Sequence, residues 1–405
     1  MKNSIFNLIS ALVPAMFMLI AMGFLARYLQ PEILGLYVIT VTFLSYGMMF
    51  EFGFSQSVIR KISKKEDALH INDVFVTALY AILFLTCIPL VLIVLNLDIL
   101  IEWINVSDDL NRDVASSLKL IAIAIPIVAV INLMQSVLEG TSDYKLLMYI
   151  RLLNNTVASI SPCLMIISEH YSLNYLILAF VLSKLLFVLV LIFFLYFKKY
   201  VFSVNPRRVK INLFFELFSY GKWLGVSNII NQALLYSDRF IVSNVLGASA
   251  VPYYTLGLDL VGKMAILPQS IYRVIFTEIN GGRKIDDKVY FNLALLFLAV
   301  SLMVFFIAPV LVEVWLGYDY VDKTVHIIQL LLVGFWFNAL SQRHYTELLS
   351  KGRSSIVSKI HLIEVIPYLV VLVYAIKHFG AIGAAVVWSV RMVLDFILMK
   401  YFNND

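Results

Sequence analysis

Apolar residues fall in blocks of about twenty, parted by short clusters of charge, Pro and Gly, and each block is long enough to cross about 30 Å of hydrocarbon as a helix. The pattern predicts about twelve spans, at residues 7–28, 35–58, 74–97, 114–138, 146–167, 173–197, 218–246, 252–276, 290–316, 324–342, 356–376 and 381–402. In the stretch 220–273 two spans joined at a Gly247–Pro252 break each carry a polar stripe. Asn228, Asn231, Gln232, Leu235 and the Asp238-Arg239 pair recur at steps of three and four on the first. Thr255, Asp259, Lys263, Ile266, Gln269 and Arg273 do so on the second. Charge facing lipid costs several kcal/mol or more, so both stripes are expected to face protein or a wet cavity.

Composition removes the soluble classes. Apolar residues make up 61% of the 405 and charged ones 14%, against an apolar share of about 45–50% in soluble domains. The blocks have helix length, not the length of barrel strands. The N-terminal stretch has no cleavable signal with a small-residue site, so the first block is expected to stay as a helix. Cys87 and Cys163 lie within apolar runs and suggest neither a disulfide framework nor a metal site. No phosphate-binding Gly loop, zinc-type His pair or nucleophile elbow occurs, so nothing points to an enzyme, a metal or another cofactor.

The net charge of +5 reads as topology, with no nucleic acid implied. With the N-terminus in the cytoplasm, the inside segments hold Arg60, Lys61, Lys64, Lys65, Lys145, Arg151, Lys198, Lys199, Arg207, Arg208 and Lys210. Arg283, Lys284, Lys288, Lys351, Arg353 and Lys359 follow on the same side. The loop holding Asp98, Glu102, Asp108, Asp109 and Asp113 lies outside, and both termini are expected inside. The basic connector 198–212 divides the chain into an N-lobe, 1–200, and a C-lobe, 201–405, of six spans each. The segments 29–37 and 246–254 place a turn and a Tyr at corresponding points of the halves. Gly140 and Gly352, and Lys184 and Arg391, correspond likewise. An even number of spans gives the lobes one orientation, which suggests alternating access around a central cavity.

Counting along the helices puts Lys184, Arg391 and Lys263 near mid-bilayer, with Arg239 and Arg27 nearer the outer leaflet. The acids at depth are Glu51, Asp238, Asp259, Glu364 and Asp395. Lys263 with Asp259 and Arg391 with Asp395 stand at i, i+4 and are expected to pair. For Arg27, snorkelling to headgroups competes with a binding role. Converging cations suit an anionic guest, and a guanidinium fork suits a diphosphate. Glu51 and Glu364 are candidates for carboxylates that change protonation or ion occupancy during transport. Tyr236, Tyr253 and Tyr254 lie near the stripes and are candidates for stacking on sugar.

The segment ARYLQPEILGLYVITVTFLSYGMMFEFGFSQSVIRKIS, residues 26–63, resembles the first helical hairpin of polysaccharide flippases. GKWLG…LLYSDRFIVSNVLGASAVPYYTLG in the second half and GAIGAAVVWSVRMVLD, residues 380–395, are similar to that family too. The resemblance, which runs along nearly the whole chain, is to the Wzx-type transporters of O-antigen and capsule repeat units, within the multidrug/oligosaccharidyl-lipid/polysaccharide exporter superfamily. It implies an all-α membrane protein of two pseudo-symmetric six-helix lobes in a V, with a cationic central cavity. It also implies an undecaprenyl-pyrophosphate-linked oligosaccharide as cargo, moved from the inner to the outer leaflet of the bacterial cytoplasmic membrane.

Carried onto this sequence, the resemblance places Arg27 and Arg60 in the first hairpin and Asp238-Arg239 and Arg273 in the second. Glu51 stands where many members have Asp. With Lys184, Lys263 and Arg391 these bases form the expected cargo site, with Glu51, Asp238, Asp259, Glu364 and Asp395 as coupling or charge-balancing acids. The expected partners are membrane lipid, a repeat-unit polymerase and a chain-length regulator around a monomeric transport unit, with a proton or sodium gradient as the driving force. The alternative is a cation-coupled drug exporter of the same architecture, which would want more acid than base in its cavity. A membrane-embedded polymerase or glycosyltransferase would need a large outer catalytic loop, and 98–113 is short.

Overall fold

The backbone of the computed structural model is described for residues 2–64, 68–198, 200 and 204–404, and side chains for 12–64, 70–198, 200 and 204–403. Lys65 and Lys199 of the basic segments lie outside the described residues. The helices are α1 Lys2–Tyr28, α2 Pro31–Gly47, α3 Phe54–Ile62, α4 Ala68–Leu95, α5 Leu97–Ile104, α6 Asn111–Gly140 and α7 Tyr144–Ile167. They continue as α8 Leu173–Phe197, α9 Ile211–Leu246, α10 Val251–Met264, α11 Ile266–Asn280, α12 Asp287–Leu316, α13 Val321–Ser350 and α14 Ser354–Asn404. Among the described residues, eight helical stretches are long and apolar enough to cross a membrane. The architecture is all-α, because a backbone in hydrocarbon must satisfy its own N–H and C=O groups.

Two expected spans are not simple rods. The span expected at 35–58 is broken between α2 and α3, where Phe52 and Gly53 adopt φ of 47° and 72°. The span expected at 252–276 is split at Ala265 into α10 and α11. The last two expected spans, 356–376 and 381–402, meet at Gly380, whose φ of 62° and ψ of −150°, a conformation open to glycine, divide α14 into two helices. The acidic loop at 98–113 also folds further than expected, since α5 occupies its first part.

The contacts divide the chain into two compact units. The first comprises Met1–Ala21 with Leu36–Leu235, and the second Met22–Gly35 with Tyr236–Asp405. The division passes through α1, α2 and α9.

In the first unit α6 packs on α3, α4 and α8, and α7 on α8. Phe54, Val58, Phe75, Ile82, Val137 and Leu191 are buried at its centre. Lipid tails are as apolar as these side chains, so close packing, not water exclusion, holds membrane helices together. Small residues make that possible where α9 passes the α2–α3 break. A Cβ at Gly221 would stand 2.7 Å from the Phe52 carbonyl oxygen and 2.9 Å from Ser57 Oγ. Ser57 Oγ donates to the Leu217 carbonyl at 2.8 Å in the same contact. The mid-chain connector is tied down as well, with Asp73 of α4 pairing with Arg208 at 3.1 Å and Lys210 at 2.6 Å.

In the second unit α13 is central, touching α10, α11, α12 and α14. The two turns matched by the internal repeat meet here, since a Cβ at Gly35 would collide with the Ala248 carbonyl.

Candidate functional site

Helical periodicity sets Asp238 and Arg239, at the end of the first stripe on α9, opposite Asp259, one turn into the second stripe on α10. Arg239 Nη2 reaches Asp259 Oδ1 at 2.7 Å, with both side chains close to nine-tenths buried. Asp238, 1% exposed, accepts from the Arg239 N–H at 2.7 Å and from the Tyr254 hydroxyl at 2.7 Å. The Arg391 guanidinium lies 5.2 Å above the ring of Tyr368 on α14. Arg391 Nε is 3.5 Å from Glu364 Oε2. Asp395 accepts from Ser341 of α13 at 2.8 Å and faces His361 at 3.4 Å. Among the described residues, two buried polar groups thus form in this unit, one holding Asp238 and Asp259 with Arg239 between α9 and α10, the other setting Glu364 against Arg391 and Asp395 against Ser341 and His361.

The expected local pairs are not formed. Asp259 pairs with Arg239 across helices instead of with Lys263, and Arg391 faces Glu364 instead of Asp395. A guanidinium spans the gap between packed helices and presents a fork to the carboxylate, and a cross-helix partner spares it the exposure an i, i+4 pair keeps. Lys263 is half-buried at the α10–α11 break. Tyr254 is fully buried on Asp238 and is no sugar platform, while Tyr236 lies 5.1 Å under Arg239 and Tyr253 4.4 Å under Lys323.

Arg27 is exposed and donates to the carbonyls of Glu313, Val314 and Trp315, so it caps the C-terminus of α12. In the first unit Lys184, 7% exposed, donates to Asn154 Oδ1 at 3.0 Å and sits 5.3 Å from the Phe180 ring centre. No carboxylate pairs with it among the described residues. Glu51, also 7% exposed, accepts from the Ser55 N–H at 3.0 Å and caps the start of α3 at the break.

Among the described residues, a cavity in each unit presents charge to the outside. In the first unit a cavity of about 240 Å³ is lined by Ser57, Arg60, Lys61, Lys64, Glu216 and Tyr220. Arg60 lies 4.1 Å above the Tyr220 ring and Lys61 pairs with Glu216 at 2.9 Å. In the second, a cavity of about 380 Å³ holds Arg273 and Gln269 of the second polar stripe beside Gln342, Tyr345 and Thr346 of α13. The α13 residues escaped sequence reading, although Gln342 and Thr346 at i, i+4 inside an apolar span were a signal of a polar face. No group of three or more metal-ligating side chains occurs among the described residues.

The fold is one shared with solved membrane transporters. An inward-facing multidrug resistance MATE family transporter matches at TM-score 0.77 and 14% identity, over 96% of this chain and 94% of that one. The lipid II flippase MurJ in an inward closed conformation matches at TM-score 0.77 and 15% identity, over 99% and 87%. The chain belongs to the family described as Polysaccharide biosynthesis protein, which matches residues 24–280. A Shigella flexneri protein named "Putative O-antigen transporter" is 28% identical over 99% of this chain and 96% of its own length. The chain is therefore a member of the polysaccharide biosynthesis family with the multi-helix membrane fold seen in the MATE transporter and MurJ.

Proposed function

We propose that this chain flips an undecaprenyl-pyrophosphate-linked oligosaccharide repeat unit from the inner to the outer leaflet of the bacterial cytoplasmic membrane by alternating access. The observation that carries the reading is the separation of charge. The carboxylates at depth are buried against protein partners, whereas the charges lining the two open cavities are mainly cationic, from Arg60, Lys61 and Lys64 in one unit and Arg273 in the other. Exposed guanidinium and ammonium groups suit the diphosphate and acidic groups of such a cargo, while its prenyl chain stays in lipid. The family membership and the name of the Shigella relative support the same substrate class.

On this reading Arg60, Lys263 and Arg273 bear on cargo, Lys184 supplies a buried positive charge, and Arg27 acts through the end of α12. Asp238, Asp259, Glu364 and Asp395, with Arg239 and Arg391, form the charge-balancing set through which a proton or sodium gradient drives the cycle, and Glu51 serves the first unit. Both termini lie in the cytoplasm, the halves 1–200 and 201–405 are the moving lobes, and the transport unit is a monomer that hands cargo to a polymerase and chain-length regulator. The buried excess of carboxylate over guanidinium favours a second reading, a cation-coupled drug exporter of the same fold.

The test is complementation of a flippase-null strain together with flipping of lipid-linked oligosaccharide into sealed vesicles by the purified chain. Restored surface glycan and flipping slowed by gradient collapse support the proposal. Export of cationic dyes without any flipping would replace it by the second reading.

A further inference from the structure

The cavity on α11 and α13 has a lining unlike the rest of the molecule's charged surface. Arg273 is its sole charged residue, for its other walls are Gln269, Gln342, Tyr345, Thr346 and apolar or aromatic side chains. The neighbouring bases are committed elsewhere. Arg283 pairs with Glu278 at 2.9 Å, and Arg343 pairs with Asp287 at 2.7 Å and Glu347 at 3.1 Å. Arg273 has no such partner among the described residues. One cavity wall is also braced. Tyr272, 3% exposed, stacks on Tyr290 with ring centres 6.3 Å apart, and Arg343 lies 4.1 Å over the other ring of that pair.

Resting on the reading of the chain as a lipid-linked oligosaccharide transporter, we propose that this cavity is a glycan subsite that takes a sugar bearing a carboxylate. A guanidinium with no internal acid is free to fork a carboxylate. The two amides and the Tyr345 and Thr346 hydroxyls supply donors and acceptors for the ring hydroxyls beside it. The volume of about 380 Å³ lies at the small end of ligand pockets, which run about 300–1,000 Å³. A diphosphate, with more charge and no hydroxyls, is better matched by the three bases of the Arg60 cavity.

The experiment uses the purified full chain in lipid nanodiscs, with free glucuronate, glucose and inorganic pyrophosphate as probes in saturation-transfer NMR. Glucuronate is expected to bind roughly tenfold or more tightly than glucose, and Arg273→Gln and Gln342→Ala each to weaken it by roughly 10- to 100-fold. Arg273→Lys should retain part of the binding, Arg283→Gln all of it, and unchanged melting temperatures certify that the variants are folded. Equal binding of glucose and glucuronate, or glucuronate binding indifferent to Arg273→Gln, overturns the proposal. So does pyrophosphate displacing glucuronate in an Arg273-dependent way at lower concentration, which would make the cavity a phosphate site. Wild-type flipping of lipid-linked cargo is measured in parallel. Its absence would sink the transport reading, whereas intact flipping with Arg273-independent binding would sink the subsite alone.

Discussion

Arg239 on α9 and Asp259 on α10 form a 2.7 Å ion pair with side chains only 11% and 10% exposed, and the pair excludes Lys263, one turn beyond Asp259, from the role its position offers. Removing one member leaves the other charge stranded in a medium that solvates it poorly. Arg239→Ala is expected to destabilise the chain by about 3–5 kcal/mol. Arg239→Ala with Asp259→Asn should recover part of that loss, since the Asp259 charge is gone and only the Asp238 carboxylate is left without a base. Thermal unfolding in detergent of both single variants and the double variant reads this as a cycle, and additive losses would show that the pair is not a coupled unit.

The Gly221 contact makes a different kind of prediction, one about space. Its Cβ would meet the Phe52 carbonyl oxygen at 2.7 Å, where the backbone turns through positive φ and cannot easily retreat. Gly221→Ala should cost about 1–3 kcal/mol through overpacking. Gly262→Ala, with nothing within 4 Å of the new atom, should be neutral or gain up to about 1 kcal/mol from helix propensity. Melting temperatures of the two alanine variants, measured side by side, check the contrast.

The outline of the fold was legible because span length and the polar stripes are periodic, local properties of sequence. Spacing placed Asp238-Arg239 and Asp259 on two polar stripes expected to face protein or a wet cavity, and the structure buries the three against one another. What escaped was everything decided between helices. The i, i+4 rule proposed Lys263 for Asp259 and Asp395 for Arg391, and it is blind to a guanidinium on a neighbouring helix. Arg27 read as a cargo-binding or snorkelling cation because nothing local foretells that a helix C-terminus, some 286 residues away in sequence, offers its carbonyls. The breaks at Phe52-Gly53 and Ala265 were hidden for the same reason. A continuous apolar run has the same hydropathy whether or not the backbone turns within it.

Glu364 and Asp395 test the coupling half of the proposed function. Glu364 is 8% exposed and faces Arg391 at 3.5 Å, and Asp395 faces His361 at 3.4 Å. If gradient energy enters here, Glu364→Gln keeps shape and removes the titrating or ion-binding group. Flipping in vesicles should then lose its response to ionophores and fall to the rate of uncoupled wild type. A Glu364→Gln protein still accelerated by the gradient to the wild-type degree would place coupling elsewhere.

Lys184 separates stability from function most cleanly. Its ammonium is 7% exposed, and its contacts are the Asn154 oxygen at 3.0 Å and the face of Phe180 at 5.3 Å. One neutral acceptor compensates poorly for the water an ammonium loses on burial. An apolar side chain of similar length should therefore fit the site better than the native one. Lys184→Met is expected to hold or raise stability, by up to about 4 kcal/mol if the buried charge behaves as buried ion pairs do. A group kept at such a cost earns its place through activity, so the same variant should flip lipid-linked cargo at least about tenfold more slowly. Melting temperature and flipping rate measured on one preparation decide the matter. A stabilised Lys184→Met protein with full flipping activity would show that the buried amine serves neither cargo nor cycle.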